Sequence, residues 1–177
     1  MTRILALDLS LTRTGYCVGR GLATRDGGVV NTTKARGMER VDFILRRVQE
    51  LAKGAGVVVL EGYSYGSQGR AVFDIGELGG CVRLLLYRLH VPCAVVPPAT
   101  LKKYATGRGN CGKDEMVAAA IRRFGFTGCE NNEADAYLLW CMARHAYGHP
   151  VCDVPQAQRM AVDKVSWPKI GGEPLAD

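Results

Sequence analysis

Three acids stand out by where the sequence puts them. Asp8 closes the apolar run Ile4-Leu5-Ala6-Leu7, Glu61 closes Val57-Val58-Val59-Leu60, and Asp135 falls near the acidic start of a segment, Asn131 to Tyr147, that runs apolar through Leu138, Leu139, Trp140, Met142 and Ala143. An unpaired carboxylate is costly to bury. An acid ending a buried run therefore faces a partner, either a divalent cation held by hard oxygen ligands or a proton in acid and base chemistry. The plainer reading of Asp8 is a cap for the turn that Ser10, Thr12, Thr14 and Gly15 supply. Residues three apart share a helical face, so Asn132 stands with Asp135 while Glu133 points elsewhere. The plainer reading of that pair is a capping box.

The elements that must position these acids follow from periodicity. Apolar runs of four residues suit strands covered on both faces. Tyr16 to Val18, the turn Asp26-Gly27-Gly28 and then Val29-Val30 extend the first strand into three antiparallel ones. Val41, Ile44, Leu45, Val48 and Leu51 recur at helical spacing between Met38 and Lys53, and Gly54 and Gly56 end the pattern. A strand, a crossover helix and a second apolar strand imply that the runs ending at Asp8 and Glu61 lie parallel. Their carboxylates then emerge at one edge of the sheet. Ala71 to Leu89 reads as a long helix with a broad apolar stripe, and Gly76, Gly79 and Gly80 within it suggest a close backbone approach. That helix is a candidate homodimer contact, with simple packing on the sheet as the alternative. Cys93 to Val96 forms another strand, Lys113 opens a helix stopped by Gly125, and residues 151–177 read as an extended tail after a domain spanning 1–150.

Composition narrows the partner. The chain has 177 residues, a formal net charge of +6 and a pI near 9.0, which puts a polyanion first and nucleic acid at the head of that list. The basic residues Lys102, Lys103, Arg108 and Lys113 cluster around the glycine-rich Thr106-Gly107-Arg108-Gly109-Asn110, where amides and side chains can both reach phosphates. Tyr63, Tyr65 and Arg70 flank or occupy the segment Gly62 to Arg70, and a tyrosine there can stack on an unpaired base; ordinary loop aromatics are the alternative. Seven cysteines without CxxC spacing read as reduced core thiols of an intracellular protein. No signal layout or membrane-length apolar run is present, so the expectation is a soluble, cytoplasmic protein.

Two strand-end acids and a helix-start acid, in the order β, β, α, suit a pair of Mg²⁺ ions, one to activate the water that attacks a phosphodiester in line and one to stabilise the leaving 3′ oxygen. This layout, with LALDLSLTRTGY, VVLEGY, LKKYATGRGNCGK and EADAYLLW, resembles the RuvC-type Holliday junction resolvases of the RNase H-like superfamily over about residues 3–147. The resemblance implies an RNase H-like α/β fold with a mixed five-stranded sheet flanked by helices. It implies a Mg²⁺-dependent endodeoxyribonuclease, Mn²⁺ being a substitute, that cuts four-way DNA junctions as a homodimer paired through residues 71–89. Asp8, Glu61 and Asp135 take the family's acidic positions, with Lys113 as a further catalytic residue. Tyr63, Tyr65, Arg70, Lys102, Lys103, Arg108 and Lys113 fall at its DNA-facing positions. The NEADAYLLW wording resembles phage-encoded relatives, for which the compartment is the host cytoplasm.

One departure concerns the metal set. The family's remaining metal position, three residues before the last aspartate, is usually acidic or histidine, and here it is Asn132. An amide oxygen ligates Mg²⁺ without bringing charge. The sequence leaves open whether it is native, with Glu133 helping, or an inactivating substitution. Two other functions compete with the nuclease: a junction-binding module that does not cut, and an actin-like phosphotransferase, which needs a second domain that a chain of this length has no room for.

Overall fold

The computed structural model describes residues 1–63, 70–128 and 130–170, with Arg70 and Ala71 described by backbone alone. The four-residue apolar runs become strands β1 (Ile4–Asp8) and β4 (Val57–Glu61). They pair in parallel, from Ile4 opposite Val57 to Leu7 opposite Leu60. Strands β2 (Arg13–Gly19) and β3 (Asp26–Asn31) continue from β1 as an antiparallel meander, and β5 (Cys93–Val96) pairs in parallel with β4. The result is the expected mixed five-stranded sheet, in the order β3-β2-β1-β4-β5.

Because side chains alternate along a strand, each central strand serves two cores. Leu5, Leu7, Val58 and Leu60 face helices α1 (Gly37–Leu51) and α2 (Arg70–Arg88). Ile4, Ala6, Val57 and Val59 face the other layer, where α5 (Asn131–Ala146) lies with every side chain from Ala136 to Ala143 fully buried. That helix is apolar on all sides because it is covered on all sides. Its outer cover is α4 (Lys113–Phe124), which ends at Gly125 in a left-handed conformation as its glycine stop predicts, and α3 (Pro98–Thr106).

The basic stretch after Pro98 opens on a helix for which no element was read from the sequence: α3 carries Lys102 and Lys103, and Gly107 terminates it at φ 86°, at the start of the glycine-rich loop. Proline at the first helical position, Leu101 and Tyr104-Ala105 at helical spacing, and a glycine stop carried that signal. The C-terminal segment, expected to run extended, folds back instead. Residues Gln156–Val162 form α6, which packs on α3 and α5, with Val154, Ala161, Val162 and Val165 buried in the same core as Leu101 and Tyr104. Buried apolar side chains at this spacing are what an extended tail could not satisfy. Tyr147 donates to the Pro168 carbonyl oxygen at 2.8 Å and meets Trp167 edge to face. Cys17, Cys81, Cys93, Cys111, Cys141 and Cys152 are free thiols, and Cys129 lies outside the described residues. Among the described residues no helix is long and apolar enough to cross a membrane.

Candidate active site

The register that ends with Leu7 opposite Leu60 puts the next residues, Asp8 and Glu61, side by side at the carboxyl ends of β1 and β4. Two residues beyond Ala6 and Val59, both point into the layer that α5 occupies. The turn after β1 is closed by its own hydroxyls: the Ser10 amide donates to Thr14 Oγ1 at 3.1 Å, and Thr14 Oγ1 donates to the Ser10 carbonyl at 2.6 Å. The capping role considered for Asp8 is thus filled by Ser10 and Thr14, and the Asp8 carboxyl meets Glu61 instead.

The start of α5 is brought to the same place by contact with β2. Gly15 is the register partner of Asp8, and a Cβ built on it would lie 1.9 Å from the Asn132 carbonyl oxygen. Asn132 Nδ2 donates to the Arg13 carbonyl oxygen, and Arg13 pairs with Glu130 at 2.5 Å. The helix is capped by Glu130 without a side-chain bond, so the capping box considered for Asn132 and Asp135 is not formed. Glu133 points away, toward Arg25 and Gly27 on β3.

The electrostatics follow from burial and proximity. Burial, then the neighbouring Asp8, pushes the Glu61 carboxyl up to about 9. Burial also raises Asp8, opposed by its hydrogen bond with Glu61 and by Lys113. Asp135 is pushed up to about 7 by burial and then by Asp8, with Lys113 and Lys102 acting against the shift. Burial and mutual repulsion thus disfavour a second negative charge on this pair, and Glu61 is the carboxyl whose raising Asp8 reinforces. Lys102 from α3 and Lys113 from α4 both face this cluster. Residues distant in sequence thus face one end of the sheet, Asp8 and Glu61 in contact and Asp135, Lys102 and Lys113 at Coulombic range of them.

The donor set fits a divalent cation. Neighbouring buried carboxylates repel one another, and the acidic donors here, Asp8 and Glu61 with Asp135 beyond them, offer hard oxygens, so a hard cation would relieve their mutual charge. Asp8 and Glu61 are the preformed half. Among the described residues no group of three or more His, Cys, Asp or Glu is drawn close enough to hold a metal ion as it stands. Asp135 acts on the pair at Coulombic range across the end of the sheet.

The remaining expected residues are distributed unevenly. Arg108 is ion-paired with Glu115, whose other oxygen accepts the Gly112 amide at the start of α4. Lys103 is half-buried on α3 beside Lys102. Tyr63 packs against α2, its hydroxyl donating to the Gly76 carbonyl at 3.3 Å. Tyr65 and the Arg70 side chain lie outside the described residues. Sequence reasoning missed Gly15; its signal was a glycine in mid-strand, which marks a close backbone approach.

A β3-β2-β1-β4-β5 mixed sheet with acids at the ends of its two central parallel strands defines an RNase H-like α/β protein. Its relatives are more particular. No protein-family model matches the chain. The crossover junction endodeoxyribonuclease RuvC of Synechococcus sp. (strain WH7803) is 29% identical over 127 residues, 68% of this chain and 82% of its own. That of Anaeromyxobacter sp. (strain K) is 26% identical over 162 residues, covering 87% and 88%. Thermus thermophilus RuvC superposes with a TM-score of 0.65 at 22% identity, over 83% of this chain and 97% of that one. The T. thermophilus RuvC in complex with a Holliday junction substrate gives 0.65 at 23% identity, over 78% and 90%. The resemblance to RuvC-type resolvases holds in sequence, and the solved structures carry the fold.

Proposed function

We propose that this protein is a metal-dependent, structure-selective endonuclease that resolves four-way DNA junctions by paired, symmetric nicks. The observation that carries the reading is the Asp8–Glu61 pair at adjacent strand ends, faced by Asp135, Lys102 and Lys113. Asp8, Glu61 and Asp135, joined by the Asn132 amide oxygen, would hold a pair of Mg²⁺ ions, for which Mn²⁺ can substitute. When bound, such ions supply activated water and charge neutralisation at the leaving 3′ oxygen. Lys113 and Lys102 bring fixed positive charge to the same end of the sheet, where it orients the scissile phosphate. Lys103 and Arg108 extend the basic surface along the DNA backbone, Arg108 by exchanging Glu115 for phosphate. Tyr65 and Arg70 complete the DNA-facing set.

Paired cutting asks for two sites, and a homodimer through α2 supplies them. Support for that comes from Phe73, Gly76, Gly80, Leu84 and Tyr87, which recur at three- and four-residue spacing. Phe73, Leu84 and Tyr87 are exposed, and the two glycines open onto free space. Incubation of an end-labelled four-way junction with Mg²⁺ tests the reading: symmetric nicks that EDTA abolishes support it, and junction binding without any cut in Mg²⁺ or Mn²⁺ leaves a binding module instead.

A further inference from the structure

Three consecutive residues leaving β4 are each fixed to a different element. The Glu61 carboxyl meets Asp8 on β1. The Gly62 amide donates to the Val96 carbonyl of β5 at 2.8 Å, and the Tyr63 hydroxyl donates to the Gly76 carbonyl of α2 at 3.3 Å. Tyr63 occupies the space that a side chain at position 79 would need. A Cβ built on Gly79 would lie 1.9 Å from the phenolic oxygen, 2.9 Å from Cζ and 3.2 Å from Cε1. Gly79 differs in this from Gly76 and Gly80, whose Cβ positions meet nothing within 4 Å. A glycine inside a helix is unfavourable relative to alanine, and at position 79 that cost has a packing return. One turn on, Arg83 stands 6.0 Å from the Tyr63 ring centroid, and its Nε donates to the Gly79 carbonyl at 3.3 Å.

We propose that Tyr63 is a positioning residue: seated in the Gly79 socket, it fixes the backbone two residues past Glu61 and so holds the Glu61 carboxyl beside Asp8 for cation binding. The inference rests on the carboxylate reading above. It gives Tyr63 a different task from base stacking, since a ring lodged in a helix groove has its face committed. It also makes the cation site depend on α2, the helix that bears the exposed apolar stripe. Partners that orient a metal ligand are commonly worth 10–100-fold in metal affinity.

The test is Mn²⁺ binding to the full chain, read by titration calorimetry without DNA. Gly79→Ala evicts the ring and Tyr63→Ala removes it, so both are expected to weaken Mn²⁺ about tenfold. Tyr63→Phe keeps the ring in its socket and stays close to the parent. Junction affinity in EDTA is expected to be unchanged in Tyr63→Ala. Parental Mn²⁺ affinity in Gly79→Ala and Tyr63→Ala, alongside its loss in Glu61→Gln, overturns the tie alone. Loss of junction affinity in Tyr63→Ala with parental Mn²⁺ affinity makes the ring a stacking residue and overturns it likewise. Parental Mn²⁺ affinity in Glu61→Gln overturns the carboxylate reading itself, and the tie with it.

Discussion

The carbonyl oxygen of Asn132 stands where a side chain on Gly15 would have to go, 1.9 Å from its Cβ position. Since Gly15 pairs with Asp8 in the β1–β2 ladder, this contact sets how near α5 comes to the carboxylates. The obstructing atom belongs to backbone, which a rotamer change cannot move. Gly15→Ala is therefore expected to destabilise the protein by about 1–3 kcal/mol and to depress cleavage further by drawing Asp135 from the pair. Urea unfolding and single-turnover cleavage below the unfolding range check both effects; parental values in both would remove the contact from the account.

Proton linkage at Glu61 gives a second expectation. Its carboxyl titrates near 4.5 in the unfolded chain and is pushed up to about 9 in the native protein, first by burial and then by Asp8. Between those values the native state keeps a proton that the unfolded chain has released, so metal-free stability falls as pH rises through that window. Glu61→Gln cannot ionise and removes this slope. In EDTA it is expected to be more stable than the parent at pH 8, by on the order of a few kcal/mol, with a smaller difference at pH 5. Equilibrium unfolding at the two pH values measures it, and an equal difference at both would contradict the linkage.

Asn132 brings oxygen without charge to the helix start, and its amide nitrogen is already spent on the Arg13 carbonyl. Asn132→Asp exchanges that donor for a carboxylate facing a carbonyl. Metal-free stability is expected to drop by about 1–3 kcal/mol, while the Mg²⁺ concentration giving half-maximal cleavage falls. Thermal unfolding with and without Mg²⁺, beside a Mg²⁺ titration of the cleavage rate, separates the two effects. An unchanged metal dependence would mean that position 132 lies outside the ion-binding set.

The folded C-terminal segment has its own test. Arg123 Nη1 on α4 donates to Gln158 Oε1 on α6 at 2.5 Å, and Gln158 is almost wholly buried. Gln158→Leu removes this bond from a partly exposed Arg123 and is expected to cost about 0.5–1.5 kcal/mol of stability. Denaturant unfolding reads this directly; a neutral result would show that α6 packs on the domain without that bond contributing.

What the sequence made legible was whatever depends on local period. The apolar runs before Asp8 and Glu61, the helical spacing of Val41 to Leu51 and the Gly125 stop each announce their element. The parallel pairing of β1 with β4, and hence the meeting of two distant acids, followed from chain connectivity. Less legible was what depends on a partner distant in the chain. Gly15 and Gly79 are explained only by Asn132 and Tyr63, more than a hundred residues away in one case and sixteen in the other. Charged residues also hid α3, because Lys102 and Lys103 suggest a loop to composition while Pro98, Leu101, Tyr104 and Gly107 give the helix away. Beyond residue 150, prolines masked an apolar pattern, Val154, Ala161, Val162 and Val165, that is satisfied only against α3 and α5.

The central claim is that Asp8, beside Glu61, serves cation-dependent cutting and not DNA binding. Single-turnover cleavage of a labelled four-way junction in Mg²⁺, with the parent and Asp8→Asn compared at matched junction occupancy, measures this most directly. Equal binding is expected, weakened alike by added salt, with cleavage reduced by several orders of magnitude in Asp8→Asn. Cleavage by Asp8→Asn at the parental rate would contradict it.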